Sequence, residues 1–309
     1  MTTTVLTHPD CLFHDTGPQH PETPARLEKL LERLKEPDFA ALKWATAPLA
    51  QQGQLTRVHS SDHVRRITDA IPQSGRVDFE PSGTVMSPES LNAALRGAGA
   101  VCAAVDAVLR GETDNAFCAV RPPGHHAEIS RTSGFCLFNG IAIGARHAQI
   151  AHKLKRIAVV DFDVHHGNGT QNIFENDPDV FFGSVHQAFI FPKTGLAKET
   201  GVGNVVNVPM NRNTNGEQFI AALREKIIPA MAKHKPEMIF LSAGFDAHFA
   251  DPVGDFRLHD SDYRALTEDF VAAANKLCNG RIVSMLEGGY HPAAVASAGA
   301  AHVAALMRA

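Results

Sequence analysis

Short apolar runs alternate along the chain with longer segments in which apolar residues recur every three or four positions. The short runs predict strands covered on both faces, and the longer spacing predicts helices with one buried side. The predicted strands are 4–7, 115–120, 156–162, 180–185, 205–209, 238–243 and 281–286. The predicted helices lie near 24–35, 88–110, 137–152, 216–234, 260–277 and 292–307.

Strands that alternate with helices predict an α/β fold, with a mostly parallel sheet and helices on both faces. We find no repeat, low-complexity linker or break in composition, so we expect one domain over residues 1–309. The clearest helix has Ser87 as its predicted N-cap and Pro88 at its first position. Its predicted buried face is Leu91, Leu95, Ala98, Cys102, Val105 and Leu109.

Two segments rich in glycine and proline, 189–203 and 245–257, follow predicted strands and are predicted to be loops. In parallel α/β sheets the active site gathers beyond the carboxyl ends of the strands. These loops are therefore where we look for function.

Composition narrows the function classes. The formal net charge of −4 gives no electrostatic support for nucleic-acid binding. No run approaches the roughly 18 apolar residues of a membrane span, and the N-terminus lacks the basic and apolar regions of a secretory signal. The five cysteines are odd in number and lack a Cys-x-x-Cys pair, which indicates reduced thiols in a cytoplasmic protein.

A candidate metal site lies in the tract Asp161-Phe-Asp-Val-His165. Alternation on an extended segment places Asp161, Asp163 and His165 on the same side, so Asp163 and His165 can reach one ion. Asp246, which follows a strand through a glycine, offers a third ligand. Three such ligands leave a position open, as in a catalytic zinc site, and they also suit Fe(II), Co(II) or Mn(II). The simpler alternative is a solvated strand end with helix caps.

Two adjacent histidines, His125 and His126, follow a Pro-Pro-Gly turn. Such a pair is often only structural, but Asp161 and Asn168 are potential partners for the two rings. A carboxylate makes an imidazole more basic, whereas an amide orients it with little effect on basicity. The two pKa values would then be pushed apart, which suits separate acid and base roles. Tyr290 follows paired glycines and could stabilise an oxyanion, although Gly-Gly-Tyr is also a common turn.

With these motifs assembled, the chain resembles the histone deacetylase superfamily, in the class II-like bacterial branch that includes acetylpolyamine amidohydrolases. The matching segments occur in the family's order: 20–27, 121–127, 134–139, 161–171, 184–187, 242–248, 251–252 and 286–290. The resemblance implies an arginase/deacetylase fold with a central parallel sheet of about eight strands.

The resemblance also implies roles for individual residues. Zinc would lie on Asp163, His165 and Asp246, with His125 and His126 as the tandem pair, Asp161 and Asn168 behind them, and Tyr290 polarising the substrate carbonyl. The substrate contacts would be Gly134, Phe135, Phe191 and Val253. A structural potassium ion would use Asp161, Asp163, His165, Ser184 and Val185.

Some positions depart from the family pattern. Val253 stands where polyamine-selective relatives carry a glutamate, which weakens a polyamine substrate without excluding it. The loop 78–87 matches poorly, and either Asp78 or Glu80 is a candidate for the acid that grips the substrate backbone.

We therefore expect a zinc-dependent amidohydrolase that removes an acetyl or other short acyl group from an amine such as the side chain of acetyl-lysine. The alternatives are an acetylpolyamine amidohydrolase, an arginase-type ureohydrolase, and a non-catalytic receptor for acyl groups. The expected partners are the acylated substrate, with neither nucleic acid nor membrane; the oligomeric state stays open.

Overall fold

Eight parallel strands form the centre of the protein in this computed structural model, which describes residues 2–308. These residues contain ten strands: β1 (Thr3–Thr7), β2 (Lys43–Thr46), β3 (Val77–Glu80), β4 (Thr84–Met86), β5 (Asn115–Cys118), β6 (Ile157–Asp161), β7 (Val180–Gln187), β8 (Val205–Met210), β9 (Met238–Ala243) and β10 (Ile282–Leu286). The sheet order is β2-β1-β5-β10-β9-β6-β7-β8, and β3 and β4 form a separate antiparallel pair.

Eleven α-helices connect or flank these strands within the described residues. They are α1 (Asp10–Phe13), α2 (Pro24–Arg33), α3 (Gln52–Leu55), α4 (Ser61–Asp69), α5 (Ser90–Leu109), α6 (Gly140–His152), α7 (Asn168–Phe174), α8 (Gly216–Ala222), α9 (Ile228–His234), α10 (Asp260–Cys278) and α11 (Pro292–Leu306). A π-helical segment, Leu223–Ile227, joins α8 to α9.

Helices cover both faces of the sheet. Successive side chains of a strand point to opposite faces. In β10, Ser284 contacts His302 of α11, whereas the next residue, Met285, lies against Gly97 of α5 and Gly140 of α6. The predicted fold class, a parallel α/β sheet between helical layers, is confirmed.

The start of α5 differs from the prediction. The helix begins at Ser90 rather than Pro88, and Glu89 occupies the N-cap position. The Ser87 hydroxyl instead accepts a hydrogen bond from the Asp15 backbone at 3.0 Å, so it links two segments rather than capping the helix. On the predicted face Leu91, Leu95 and Leu109 are only half-buried, because small residues on the other side make the closest approach to the sheet.

The prediction that no segment resembles a membrane span needs correction at the same helix. By length and composition, α5 is apolar enough to cross a membrane. However, most of this helix is buried inside the protein. A core helix passes the same test of length and composition.

The strand order decides where the site forms. Neighbouring strands β6, β9 and β10 come from distant parts of the chain. Their register aligns Asp161 with Ser242, and Leu286 with Ala243. Because the strands are parallel, their carboxyl ends meet at one edge of the sheet.

Candidate active site

The segments that leave β6, β9 and β10 are tied together by their backbones. The Phe245 amide donates to the Gly288 carbonyl at 3.0 Å, and the Glu287 amide donates to the Ala243 carbonyl at 2.9 Å. The Phe162 amide, directly after β6, donates to the Ser242 carbonyl of β9 at 3.2 Å, which brings Asp163 beside Asp246.

Asp163, His165 and Asp246 converge on one point. His165 Nδ1 lies 3.0 Å from Asp163 Oδ1 and 3.1 Å from Asp246 Oδ2. Both carboxylates are fully buried, and among the described residues neither pairs with a lysine or an arginine. Burial and the negative charge of Asp163 raise the pKa of Asp246 to about 7. Two buried carboxylates that share an imidazole, with no lysine or arginine beside them among the described residues, suit a divalent metal ion.

Backbone amides hold the remaining carboxylate oxygens of this site. The Gly288 amide donates to Asp163 Oδ2 at 2.8 Å, and the Val164 amide donates to Asp246 Oδ1 at 2.9 Å. These bonds orient both carboxylates before any ion binds, which is the usual task of outer contacts at a metal site.

The two adjacent histidines have different partners. His125 Nδ1 donates to Asp161 Oδ2 at 2.8 Å, and His126 Nδ1 donates to Asn168 Oδ1 at 2.8 Å. The Asn168 amide nitrogen donates to Glu128 at 2.8 Å, which fixes the side-chain oxygen towards His126. His126 is thus held with its proton on Nδ1 and a lone pair on Nε2.

These different partners give the two imidazoles different pKa values. Burial opposes the charge on His125, but the negative charges of Asp161 and Asp163 outweigh it and raise the pKa of His125 well above its usual value. Burial lowers the pKa of His126, and repulsion from His125 and His165 lowers it further. With ring centroids 4.0 Å apart, the pair can hold one proton on His125 while His126 is neutral.

Glu287 holds the turn that carries the histidines, a role the sequence reasoning missed. Its Oε2 accepts the amides of Gly124 at 2.7 Å and His125 at 3.1 Å, while Ser242 donates to its Oε1 at 3.2 Å. Burial raises the pKa of Glu287 to about 7. The position of His125 therefore depends on a carboxylate that follows β10.

Asp251 and Arg26 hold the segment before α11. Asp251 Oδ2 accepts the amides of Tyr290 at 2.6 Å and His291 at 3.2 Å. Arg26 Nε donates to the Gly289 carbonyl at 2.6 Å, and its guanidinium lies 5.4 Å from the centre of the Tyr290 ring. Burial raises the pKa of the Tyr290 phenol well above 10, so the phenol keeps its proton.

Aromatic rings line the approach to this cluster. The Phe135 ring centre lies 5.8 Å from that of Tyr290, and the Phe191 ring centre lies 5.0 Å from that of His126. Gly134 directly precedes Phe135 and faces the other wall: a Cβ built on it would stand 2.3 Å from His126 and 2.8 Å from Phe191. Glycine is therefore the residue that leaves this passage open.

The β3–β4 pair supports one of these walls. Glu80 binds the hydroxyls of Ser82 and Thr84, and these hydroxyls accept the amides of Gly134 at 2.8 Å and Phe135 at 3.1 Å. The Glu80 carboxylate is thus occupied inside the protein, which leaves Asp78, on the exposed part of β3, as the freer of the two acids suggested for substrate contact.

The remaining predicted residues are Val253, Ser184 and Val185. Val253 is 39% exposed, and its amide donates to Asp251 at 3.0 Å. Ser184 lies opposite Asp161 in the β6–β7 register, and its hydroxyl contacts His186 at 2.9 Å. Val185 follows Ser184 on β7 and is fully buried. The potassium site implied by the resemblance stays a prediction.

Comparison with known protein families identifies the family to which the chain belongs. The histone deacetylase domain family matches residues 20–306. The chain belongs to the histone deacetylase superfamily. Relatives in this superfamily are named as a deacetylase and as an amidohydrolase. This histone deacetylase homologue is therefore a hydrolase of the deacetylase type.

Individual relatives agree with this placement. The histone deacetylase homologue is similar to a type-2 histone deacetylase 2 of Dictyostelium discoideum, with 37% identity over 93% of this chain but only 20% of that protein. A histone deacetylase-like amidohydrolase of Pseudomonas aeruginosa is 34% identical over 94% of this chain and 82% of its own. The crystal structure of the HDA15 HD domain superimposes with a TM-score of 0.92 at 32% identity, covering 99% of this chain and 90% of that one.

Proposed function

We propose that this deacetylase is metal-dependent and hydrolyses the amide of an acetylated or short-acylated amine, such as Nε-acetyl-lysine. The observation that carries the proposal is the convergence of Asp163, His165 and Asp246 beside two histidines with unlike partners. A core without a reaction to perform gains nothing from so many buried ionisable groups.

The three convergent side chains would hold Zn²⁺, with Fe²⁺ or Co²⁺ as alternatives that the same donors accept. When bound, such an ion supplies Lewis acidity, which polarises the substrate carbonyl and lowers the pKa of a water molecule. The potassium ion expected near Ser184 and Val185 would stiffen the ends of β6 and β7.

His126 is proposed as the main acid and base. Its neutral ring presents the lone pair of Nε2, because Asn168 holds the proton on Nδ1. That lone pair can take a proton from the attacking water and return it to the leaving amine. His125, kept protonated by Asp161, supplies a positive charge beside the developing oxyanion.

Tyr290 is proposed as the donor to that oxyanion. Its phenol keeps its proton, and its backbone is fixed from one side by Asp251 and from the other by Arg26 through Gly289. A donor that is already in place costs no reorganisation when charge develops on the substrate oxygen.

The passage between Phe135 and Phe191 favours a narrow, extended chain such as the methylenes of lysine. Val253 at the rim provides no charge to recognise a second amine, so acyl-lysine is preferred over acetylpolyamine as substrate. We also propose a cytoplasmic location, which the unpaired cysteines favour.

The test compares turnover of acetyl-lysine peptides, acetylpolyamines and longer acyl-lysines by protein loaded with a defined metal. We expect Tyr290→Phe to lower turnover while metal content stays unchanged, and Asp163→Ala to lose both. Full activity in metal-free protein would overturn the metal-dependent scheme. Faster turnover of acetylpolyamines than of acetyl-lysine peptides would reassign the substrate but keep the chemistry.

A further inference from the structure

A second cluster of metal-ligating side chains lies away from the candidate active site. It consists of Asp106 on α5 with His147 and His152 on α6, and one ligand atom from each lies within 4.8 Å of the others. The Nε2 atoms of His147 and His152 lie 2.8 Å and 2.6 Å from the same oxygen, Asp106 Oδ1. Three side chains from two helices thus aim at one point.

This geometry matches that of the three convergent residues at the active site. There, one imidazole nitrogen lies 3.0 and 3.1 Å from two carboxylate oxygens. In the second cluster, two imidazole nitrogens lie 2.8 and 2.6 Å from one carboxylate oxygen. The side chains of Asp106, His147 and His152 are 31%, 9% and 24% exposed, so solvent can supply a further ligand.

We propose that Asp106, His147 and His152 form a second site for a divalent transition metal, Zn²⁺ in the first instance. Two imidazoles and one carboxylate are a frequent set of zinc ligands, with a fourth position left for water. The active-site set has two carboxylates and one imidazole. The second set has one carboxylate and two imidazoles, so it carries one negative charge fewer and offers one more nitrogen ligand.

Arg57 restrains this second site. Its Nη1 lies 2.9 Å from His147 Nδ1, so Nδ1 accepts a hydrogen bond and the ring proton is on Nε2, where it faces Asp106. An ion on Nε2 requires that proton to move to Nδ1, and Nδ1 then repels the Arg57 donor. Arg57 also adds a positive charge beside the ion. Both effects weaken binding, and both disappear when Arg57 becomes glutamine, whose carbonyl can accept from Nδ1.

The site would act as a clamp rather than as a catalyst. His152 is the last residue of α6, and Asn139, at the opposite end, bonds Thr170 and Ala127 beside the tandem histidines. Thirteen helical residues separate the two ends by about 18–20 Å. An ion at the far end would join α6 to α5 without touching substrate.

The experiment measures zinc per chain after equilibration against buffered free Zn²⁺, using elemental analysis, in the wild-type protein and four variants. His152→Ala removes a ligand, and Arg57→Gln relieves the restraint. His234→Ala is the matched control: His234 ends α9 before a left-handed lysine, as His152 ends α6, but its hydrogen bond goes to a backbone carbonyl rather than to a carboxylate. Asp106→Asn serves as a second ligand variant should His152→Ala fold poorly.

We expect wild type and His234→Ala to bind one more zinc ion per chain than His152→Ala and Asp106→Asn. Arg57→Gln should fill the extra site at about tenfold lower free zinc, the usual scale for an outer contact. Zinc should also raise the melting temperature of wild type more than that of His152→Ala, with equal deacetylase turnover. Equal zinc content in wild type and both ligand variants would overturn the proposal, as would weaker binding by Arg57→Gln. Because the result is a difference between variants, it stands whether or not the active site holds zinc.

Discussion

Replacing Gly134 with alanine should close the passage to the active site without unfolding the protein. The added Cβ would lie 2.3 Å from His126 Cδ2, more than 1 Å closer than ordinary contact near 3.4 Å. The His126 ring must therefore move by about 1 Å, and its 2.8 Å bond to Asn168 would be lost. A misplacement of about 1 Å costs on the order of a hundredfold in rate.

The control variant is Gly75→Ala. Gly134 and Gly75 have φ values of +52° and +70°, so an alanine at either pays the same kind of backbone penalty, about 1–2 kcal/mol. No atom lies within 4 Å of a Cβ built on Gly75. Turnover of an acetyl-lysine peptide and thermal melting should be measured for both variants. If Gly134→Ala turns over substrate as fast as Gly75→Ala, Gly134 does not set the position of His126 and the passage lies elsewhere.

Two further predictions concern positioning and pH. Asp251→Ala should lower turnover about tenfold or more, because the Tyr290 amide loses its acceptor; combined with Tyr290→Phe it should cost little beyond the single Tyr290 change. Fully additive losses in that cycle would show that Asp251 acts through another group. Burial lowers the pKa of His302 to about 3 from 6.5, so only the unfolded chain binds that proton between these values and stability falls as pH drops through this window. Between pH 7 and pH 5, the free energy of unfolding measured in urea should therefore fall by about 2 kcal/mol less for His302→Gln than for wild type. An unchanged pH dependence would contradict this.

The buried strands could be predicted because each is an apolar run that needs cover on both faces. The edge strand β2 escaped prediction since all four of its residues are exposed and its sequence, Lys43–Thr46, contains no such run. Strand β3 escaped for the same reason, as Val77 and Asp78 are exposed, whereas β4 is buried but only three residues long. Edge strands are formed by pairing with neighbours, which leaves little trace in local hydrophobicity.

Some residues of the candidate site could likewise be predicted from the sequence, and others could not. Asp163 and His165 could be predicted because they adjoin a buried strand, where ionisable side chains need a reason to be present. The roles of Glu287 and Asp251 could not, since each carboxylate binds backbone amides, and a backbone amide has no sequence signature. Asp106 and His152 are far apart in the chain and became neighbours only through the packing of α5 on α6.

The central place of β10 has a consequence for synthesis of the protein. Among the described residues, this strand comes last in sequence of the eight in the sheet, yet it sits between β5 and β9, in the interior of the sheet. A nascent chain in which β10 has not yet been made therefore has a gap in its sheet, with two rows of unpaired backbone groups and no Glu287 to support the histidine turn. The metal site proposed on Asp163, His165 and Asp246 can reach its final geometry only after β10 has been synthesised and inserted between its two neighbours.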